Sequence, residues 1–193
     1  MNLWSGLAWP RRVVTTLHRK PASALPRVSA SPFPSGVHPQ EIALDVDAND
    51  SASLLAIAAA YIGRGHGLDP APIARALLRR EEAGSTALGH GVAVPHARVT
   101  GIGRPLTLFL RTRHPVAFGA PDGEDVSNFF IIIVPAEGDT DRHLELLAGV
   151  AAAFGDRAFR AGLAMATTAN QVDDAFGGRS AATPLHQTSR LAT

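Results

Sequence analysis

Residues 80–98 read Arg-Glu-Glu-Ala-Gly-Ser-Thr-Ala-Leu-Gly-His-Gly-Val-Ala-Val-Pro-His-Ala-Arg. One imidazole, His96, stands close in sequence to two guanidinium groups, Arg98 and Arg80. Neutral imidazole is a nucleophile near pH 7, and arginine offers a fork of donors that matches phosphate oxygens. Together they could accept a phosphoryl group and hold its charge. The plainer reading, a satisfied histidine in a turn, has the better of it on composition alone. Val92, Ala93 and Val94 predict a brief buried strand bounded by Gly91 and Pro95. Proline has no N–H for the next ladder bond, so the chain is expected to leave the sheet there, with His96 at the strand's mouth.

The order of residues carries more than the His-Arg pair does. Arg80-Glu81, Ser85-Thr86, Gly89, Gly91, Ala93 and Pro95-His96 fall in register with the pattern R-E-x-x-x-S-T-x-x-G-x-G-x-A-x-P-H. This pattern resembles the phosphorylation-site signature of the IIA domains of the bacterial phosphotransferase system, fructose/mannitol type. The similarity extends over about residues 42–177, with the nitrogen-regulatory IIA branch as the nearest resemblance. His90 departs from it, since many relatives carry asparagine there.

The resemblance implies that His96 is the phosphoacceptor and that an HPr-like phosphohistidine carrier protein supplies the phosphoryl group. It implies a second functional histidine in a His-Leu-x-Leu-Leu pattern, matched by His143-Leu144-Glu145-Leu146-Leu147. Arg80 and Arg98 are then expected to stabilise the transferring group, and His143 to orient it. Ser85 and Thr86 are read two ways: their hydroxyls either donate to phosphate oxygens or order the turn. No cofactor and no metal is expected. The partners expected are the carrier and either regulatory target proteins or a IIB protein. The output expected is regulatory and nitrogen-related. The alternative is a sugar-specific component passing phosphate to a IIB protein, and a metal site built from His90, His96 and His143 ranks below both.

The elements that must position these residues follow from periodicity and punctuation. Ile42 to Val46 predicts a short strand or lead-in. Asp50 or Ser51 caps a helix carrying Leu54, Leu55, Ala58 and Ile62, ended by Gly63, Gly65 and Gly67. Asp69-Pro70 restarts a helix with Ile73, Ala76 and Leu77 on one side, leading to Arg80. Strands are expected at Leu106–Leu110 and Val116–Phe118. Phe129 to Val134, six apolar residues ending at Pro135, predicts a central strand covered on both faces. Asp139 or Thr140 caps the helix of His143, and helices around Phe159 and up to Phe176 follow. His143, in a first turn, is biased toward neutral by the positive helix N-terminus. His66 and His114 are expected at the surface. The fold class expected is α/β, one domain with a central mixed sheet flanked by helices.

Composition bounds the rest. The chain of 193 residues has no cysteine, which excludes disulfides, thiolate zinc sites and cysteine nucleophiles. No apolar run reaches the ~20 residues of a membrane helix, so no membrane insertion is expected, and a cytoplasmic location is. The net charge of +1 hides an asymmetry. Residues 1–40 hold five basic residues, no acid and six of the 14 prolines, and read as a disordered basic extension. A transit-like peptide, a membrane- or nucleic-acid-touching tail, or a translation start placed too far upstream would each account for it. Residues 41–178, the expected domain, are mildly acidic, which argues against a nucleic-acid surface, and residues 179–193 read as a flexible tail.

Overall fold

The run Phe129–Val134 lies inside the longest stretch of buried backbone. In the computed structural model, which describes residues 38–137, 140–177 and 183–184, it belongs to β6 (Val126–Pro135). Its side chains alternate between two cores. Phe129, Ile131 and Ile133 enter one, Phe130, Ile132 and Val134 the other, and all six are buried. β5 (Leu106–Val116) pairs antiparallel with β6 and alternates in the same way. β1 (Glu41–Val46) lies parallel to β5, and the two-residue β7 (Thr183–Pro184) lies parallel to β1. On the other side of β6 stand β3 (Val92–Ala93), with β2 (Ala87–Gly89) antiparallel beyond it, and β4 (His96–Val99). The sheet is therefore mixed, in the order β2-β3-β6-β5-β1-β7 with β4 also on β6.

One face is covered by α1 (Ser51–His66) and α2 (Pro70–Glu82), whose Leu54, Leu55, Ile62, Ile73 and Leu77 meet the Ile131 side of β6. Each helix starts where a short polar side chain replaces a missing backbone partner. Asp50 accepts the Ser53 N–H at 2.7 Å while the Ser53 hydroxyl accepts the Asp50 N–H at 3.1 Å, a reciprocal cap. Asp69 accepts from Ala71 N, with Pro70 in the first helical position. The other face is covered by α3 (Thr140–Gly155), α4 (Arg157–Met165) and α5 (Ala169–Ala175). There Phe176 packs edge-on against Phe109 and Phe159, with ring centroids 5.7 and 5.2 Å apart, and against Phe130 at 5.5 Å. Burying such a ring contributes about 2–3 kcal/mol. The architecture is the α/β fold with a central mixed sheet flanked by helices that the pattern implied.

Several local expectations are corrected. α1 runs through the buried Gly63 and the exposed Gly65 to His66; only Gly67, at φ 66°, takes the left-handed cap. Val116–Phe118 is not a separate strand: β5 continues through Arg113 and Pro115 to Val116, and Phe118 is buried in the loop beyond. His66 is not solvated. Its Nε2 lies 3.2 Å from Oε1 of the buried Glu41, an approach without hydrogen-bond geometry. Residues 1–37, Asp139 and the tail histidine His186 lie outside the described residues.

Glu41 sits against Gly65, where a Cβ would collide with its carboxyl. Burial pushes its pKa from an ordinary 4.5 up to about 7, against the opposing charge of Arg64. The folded chain thus holds a proton that the unfolded chain releases near 4.5, and Glu41 lowers stability as pH rises from about 4.5 to about 7. His66, depressed by burial and by Arg104, acts with the opposite sign below the usual histidine range. Comparing Glu41→Gln with the parent by urea unfolding across this window isolates the carboxyl. The variant is expected to be the more stable at pH 8, by on the order of 2 kcal/mol, and to lose that advantage by pH 4.5.

Candidate functional site

β3 and β4 are one strand interrupted at Pro95. Val92 pairs with Asn128, Ala93 with Phe129 and His96 with Ile132, so the register along β6 does not slip across the break. Pro95 keeps its inner bond, accepting from Ile132 N at 2.9 Å. The N–H it lacks would point to that same inner side, so one bond to β6 is missing there. On the outer side the last ladder bond is Val94 N–H to Thr86 O at 3.0 Å. The expectation that the chain leaves the sheet is therefore corrected. β2 stops and the chain stays, with His96 as the first residue of β4. The outer side of β4 meets α2, whose last turn carries Arg80 and Glu81.

Glu81 fixes that last turn. Its carboxylate accepts the Thr86 N–H at 3.0 Å and the Thr86 hydroxyl at 2.6 Å. The Ser85 hydroxyl donates to Phe118 O at 2.6 Å and accepts from Ala87 N at 3.1 Å. Of the two roles read for Ser85 and Thr86, both hydroxyl protons here serve the turn. Arg80 is held between the turn and the strand: one terminal nitrogen donates to Gly84 O at 2.8 Å, and Nε donates to His96 Nε2 at 3.0 Å.

These contacts fix the state of the His96 ring. Its Nδ1 lies 2.9 Å from Val94 O. A carbonyl can only accept, so Nδ1 carries the proton; Arg80 can only donate, so Nε2 carries the lone pair. Burial lowers the pKa of His96 below the usual histidine value; the Val94 carbonyl opposes this, Arg80 adds to it and Glu81 opposes it. The ring is half-buried, open to solvent on one side.

His96, Ile132 and Arg98 share the sheet face that α3 covers, since paired and alternate strand residues point the same way. His143, in the first turn of α3, brings its ring centroid to 5.7 Å from that of His96, tilted by 54°. Its pKa is also lowered, first by burial and then by His96 and Arg98. Its buried Nδ1 has no hydrogen-bond partner. Arg98 is half-buried and its guanidinium lies 3.4 Å from Ala136 O. The structure therefore gathers Arg80, His96, His143 and Arg98. His90 is not among them; it lies in the β2–β3 turn at φ 55°, its N–H bonded to Asp122 at 2.6 Å. Among the described residues no three His, Cys, Asp or Glu side chains converge as metal ligands. Sequence reasoning passed over the clamp made by Glu81 and the acceptor made by Val94 O. Spacing alone gave no sign of the clamp, since α2 ends at Glu82 and Thr86 lies beyond it.

The family model described as "Phosphoenolpyruvate-dependent sugar phosphotransferase system, EIIA 2" matches residues 37–177. The chain is 45% identical over 82 residues to a nitrogen regulatory protein of Pseudomonas aeruginosa, and the match spans 52% of that relative's length. The crystal structure of nitrogen regulatory protein IIA-Ntr from Neisseria meningitidis superposes with a TM-score of 0.67 at 38% identity, over 71% of this chain and 93% of that one. Enzyme IIA mannitol of Escherichia coli, in its complex with phosphorylated enzyme IIB mannitol, has the same fold, with a TM-score of 0.60 at 22% identity over 72% and 96% of the two chains. Among the described residues no helix is long and apolar enough to cross a membrane. A family model that matches most of the chain establishes that it belongs to the EIIA 2 family of the phosphotransferase system.

Proposed function

We propose that this chain is a phosphohistidine carrier in which His96 accepts a phosphoryl group on Nε2 from an HPr-like carrier protein. The observation that carries the reading is the tautomer. Nδ1–H is tied to Val94 O, so the lone pair sits on Nε2, on a ring that burial keeps neutral at pH 7. In the transfer, that lone pair forms the new N–P bond as the donor's N–P bond breaks and its electrons return to the donor ring. Nδ1 keeps its proton throughout, and Val94 O receives the positive charge that spreads over the phosphorylated ring. Arg80 moves from Nε2 to the incoming oxygens. Arg98 adds positive charge nearby, and His143, a ring away, orients the group. The protein supplies position and charge rather than covalent steps of its own. The exposed Leu144, next to His143, offers the carrier an apolar contact.

The output we infer is regulatory and nitrogen-related. It rests on the nitrogen regulatory proteins to which this chain is similar at 45% and 38% identity. Two negative charges placed on a half-buried ring change the surface a target protein meets. The reaction belongs in the cytoplasm of a bacterium, where a phosphorylated carrier is available. A second reading, transfer to a IIB protein, draws on the shared fold with the mannitol enzyme.

Incubation with the carrier, its kinase and phosphoenolpyruvate is expected to label the chain once, and His96→Ala to abolish the label; label on the variant refutes the acceptor. Label passing to a fructose- or mannitol-type IIB protein selects the transport reading, whereas capture of a kinase or channel regulator that depends on the state of His96 selects the regulatory one. His143→Ala is expected to slow transfer by about tenfold or more while His96 remains phosphorylatable, as quenched-flow labelling would show. Because both rings titrate below the usual value, the labelling rate should hold as pH falls to about 6.5 and drop only beneath it. A drop centred above that pH contradicts the neutral, buried acceptor.

A further inference from the structure

On the sheet face that bears His96, a cleft of about 280 Å³ opens at the other end of α3. Its walls are Val92 and Phe154, and its polar groups are His90, Asn128, Arg157 and Arg160. No acidic side chain lines it. We propose that this cleft is a binding site for a small organic anion bearing a carboxylate or phosphate group.

The donors are left over after the surrounding structure has taken what it needs. Arg111 donates through Nε to Asn128 Oδ1 at 2.9 Å and through its other nitrogens to Ala166 O and Leu163 O. That bond fixes which end of the Asn128 amide is oxygen, and its NH2 group has no acceptor among the described residues. Arg160 spends one nitrogen on the last carbonyls of α3, Phe154 O at 2.6 Å and Gly155 O at 2.8 Å, which anchors the guanidinium and leaves further N–H groups. Arg157 is exposed and makes no hydrogen bond or ion pair among the described residues. The His90 ring is likewise without a hydrogen bond, while the backbone beneath it is held in the left-handed region by Asp122. Asp122 and Asp156 are the nearby acids. The first is committed to the N–H groups of His90 and Glu124, the second to those of Ala158 and Phe159 at the start of α4. Arg160, anchored on the end of α3, and the exposed Arg157 thus bring two positive charges to one cleft whose lining holds no acidic side chain, and an anion offsets them. The volume lies just below the range usual for drug-sized ligands, about 300–1,000 Å³, so the occupant is compact. The site is separate from the phosphoryl site: Val92 and His96 are four positions apart along the strand, about 13 Å.

Nuclear magnetic resonance titration of the full chain tests this, with succinate, inorganic phosphate and the neutral succinamide as probes. Succinate or phosphate is expected to move amide signals in residues 89–92, 127–129 and 154–164, and succinamide to leave them unmoved. Whichever anion binds tighter identifies the group recognised. Arg157→Gln, a change at an exposed residue, should weaken binding about tenfold, the loss of one charged contact, and His90→Gln should weaken it less. His96→Ala should bind as the parent does, which separates this site from phosphotransfer. The proposal falls if neither anion shifts these signals by about 10 mM, well above a 1 mM dissociation constant. It falls equally if succinamide acts alike, if Arg157→Gln changes nothing, or if the shifts centre on His96 and His143.

Discussion

The hydrogen bond between Arg80 Nε and His96 Nε2 is the contact on which the site depends. A guanidinium cannot accept a proton at that position, so the bond is possible only for a ring whose Nε2 is bare. The Val94 carbonyl makes the same choice from the other side, since it requires a proton on Nδ1. Two main-chain-scale constraints thus select one tautomer of one ring. They also place a positive charge where a phosphoryl group would arrive. An imidazole in open solvent would divide between tautomers and would titrate in its ordinary range.

Everything around that bond serves to keep its two partners at their distance. Arg80 is aimed by the end of α2, and that end is tied to β2 through Glu81 and Thr86. His96 is aimed by β4, whose register on β6 survives the break at Pro95. The proline is the economical device here. It removes a single donor on the side facing β6, while its carbonyl still holds the Ile132 N–H and keeps the strand in register. β6 itself is buried on both faces, so the platform under His96 has no freedom to tilt without disturbing two cores. Opposite, α3 delivers His143 to the same face, where burial first and then the His96 and Arg98 charges lower its pKa.

The arrangement also divides the labour of the cations. Arg80 touches the acceptor nitrogen, Arg98 sits two residues along the same strand face, and Arg111 is wholly engaged in holding the end of α4 to the sheet. Arg157 and Arg160, at the far end of α3, belong to a different surface with its own chemistry.

Much of this was written in the linear pattern. The unbroken apolar run of β6 foretold a strand with a core on each face, because a doubly covered strand has no position for a polar residue. Asp50 and Asp69 marked two helix starts, because a cap needs a short acceptor side chain at one defined place. The ordered run from Arg80 to His96 marked the site. What the pattern could not decide were matters of neighbourhood. Whether the chain leaves the sheet at Pro95 depends on whether the proline carbonyl keeps a partner, which Ile132 N–H supplies. Whether Ser85 and Thr86 face a phosphate or a turn depends on where Phe118 and Glu81 come to rest. His66 reads in sequence as a surface residue, but Glu41, 25 positions away, packs against it. Periodicity reports which residues are buried; only the packed chain decides against what, and a titrating or hydrogen-bonding group takes its properties from that partner.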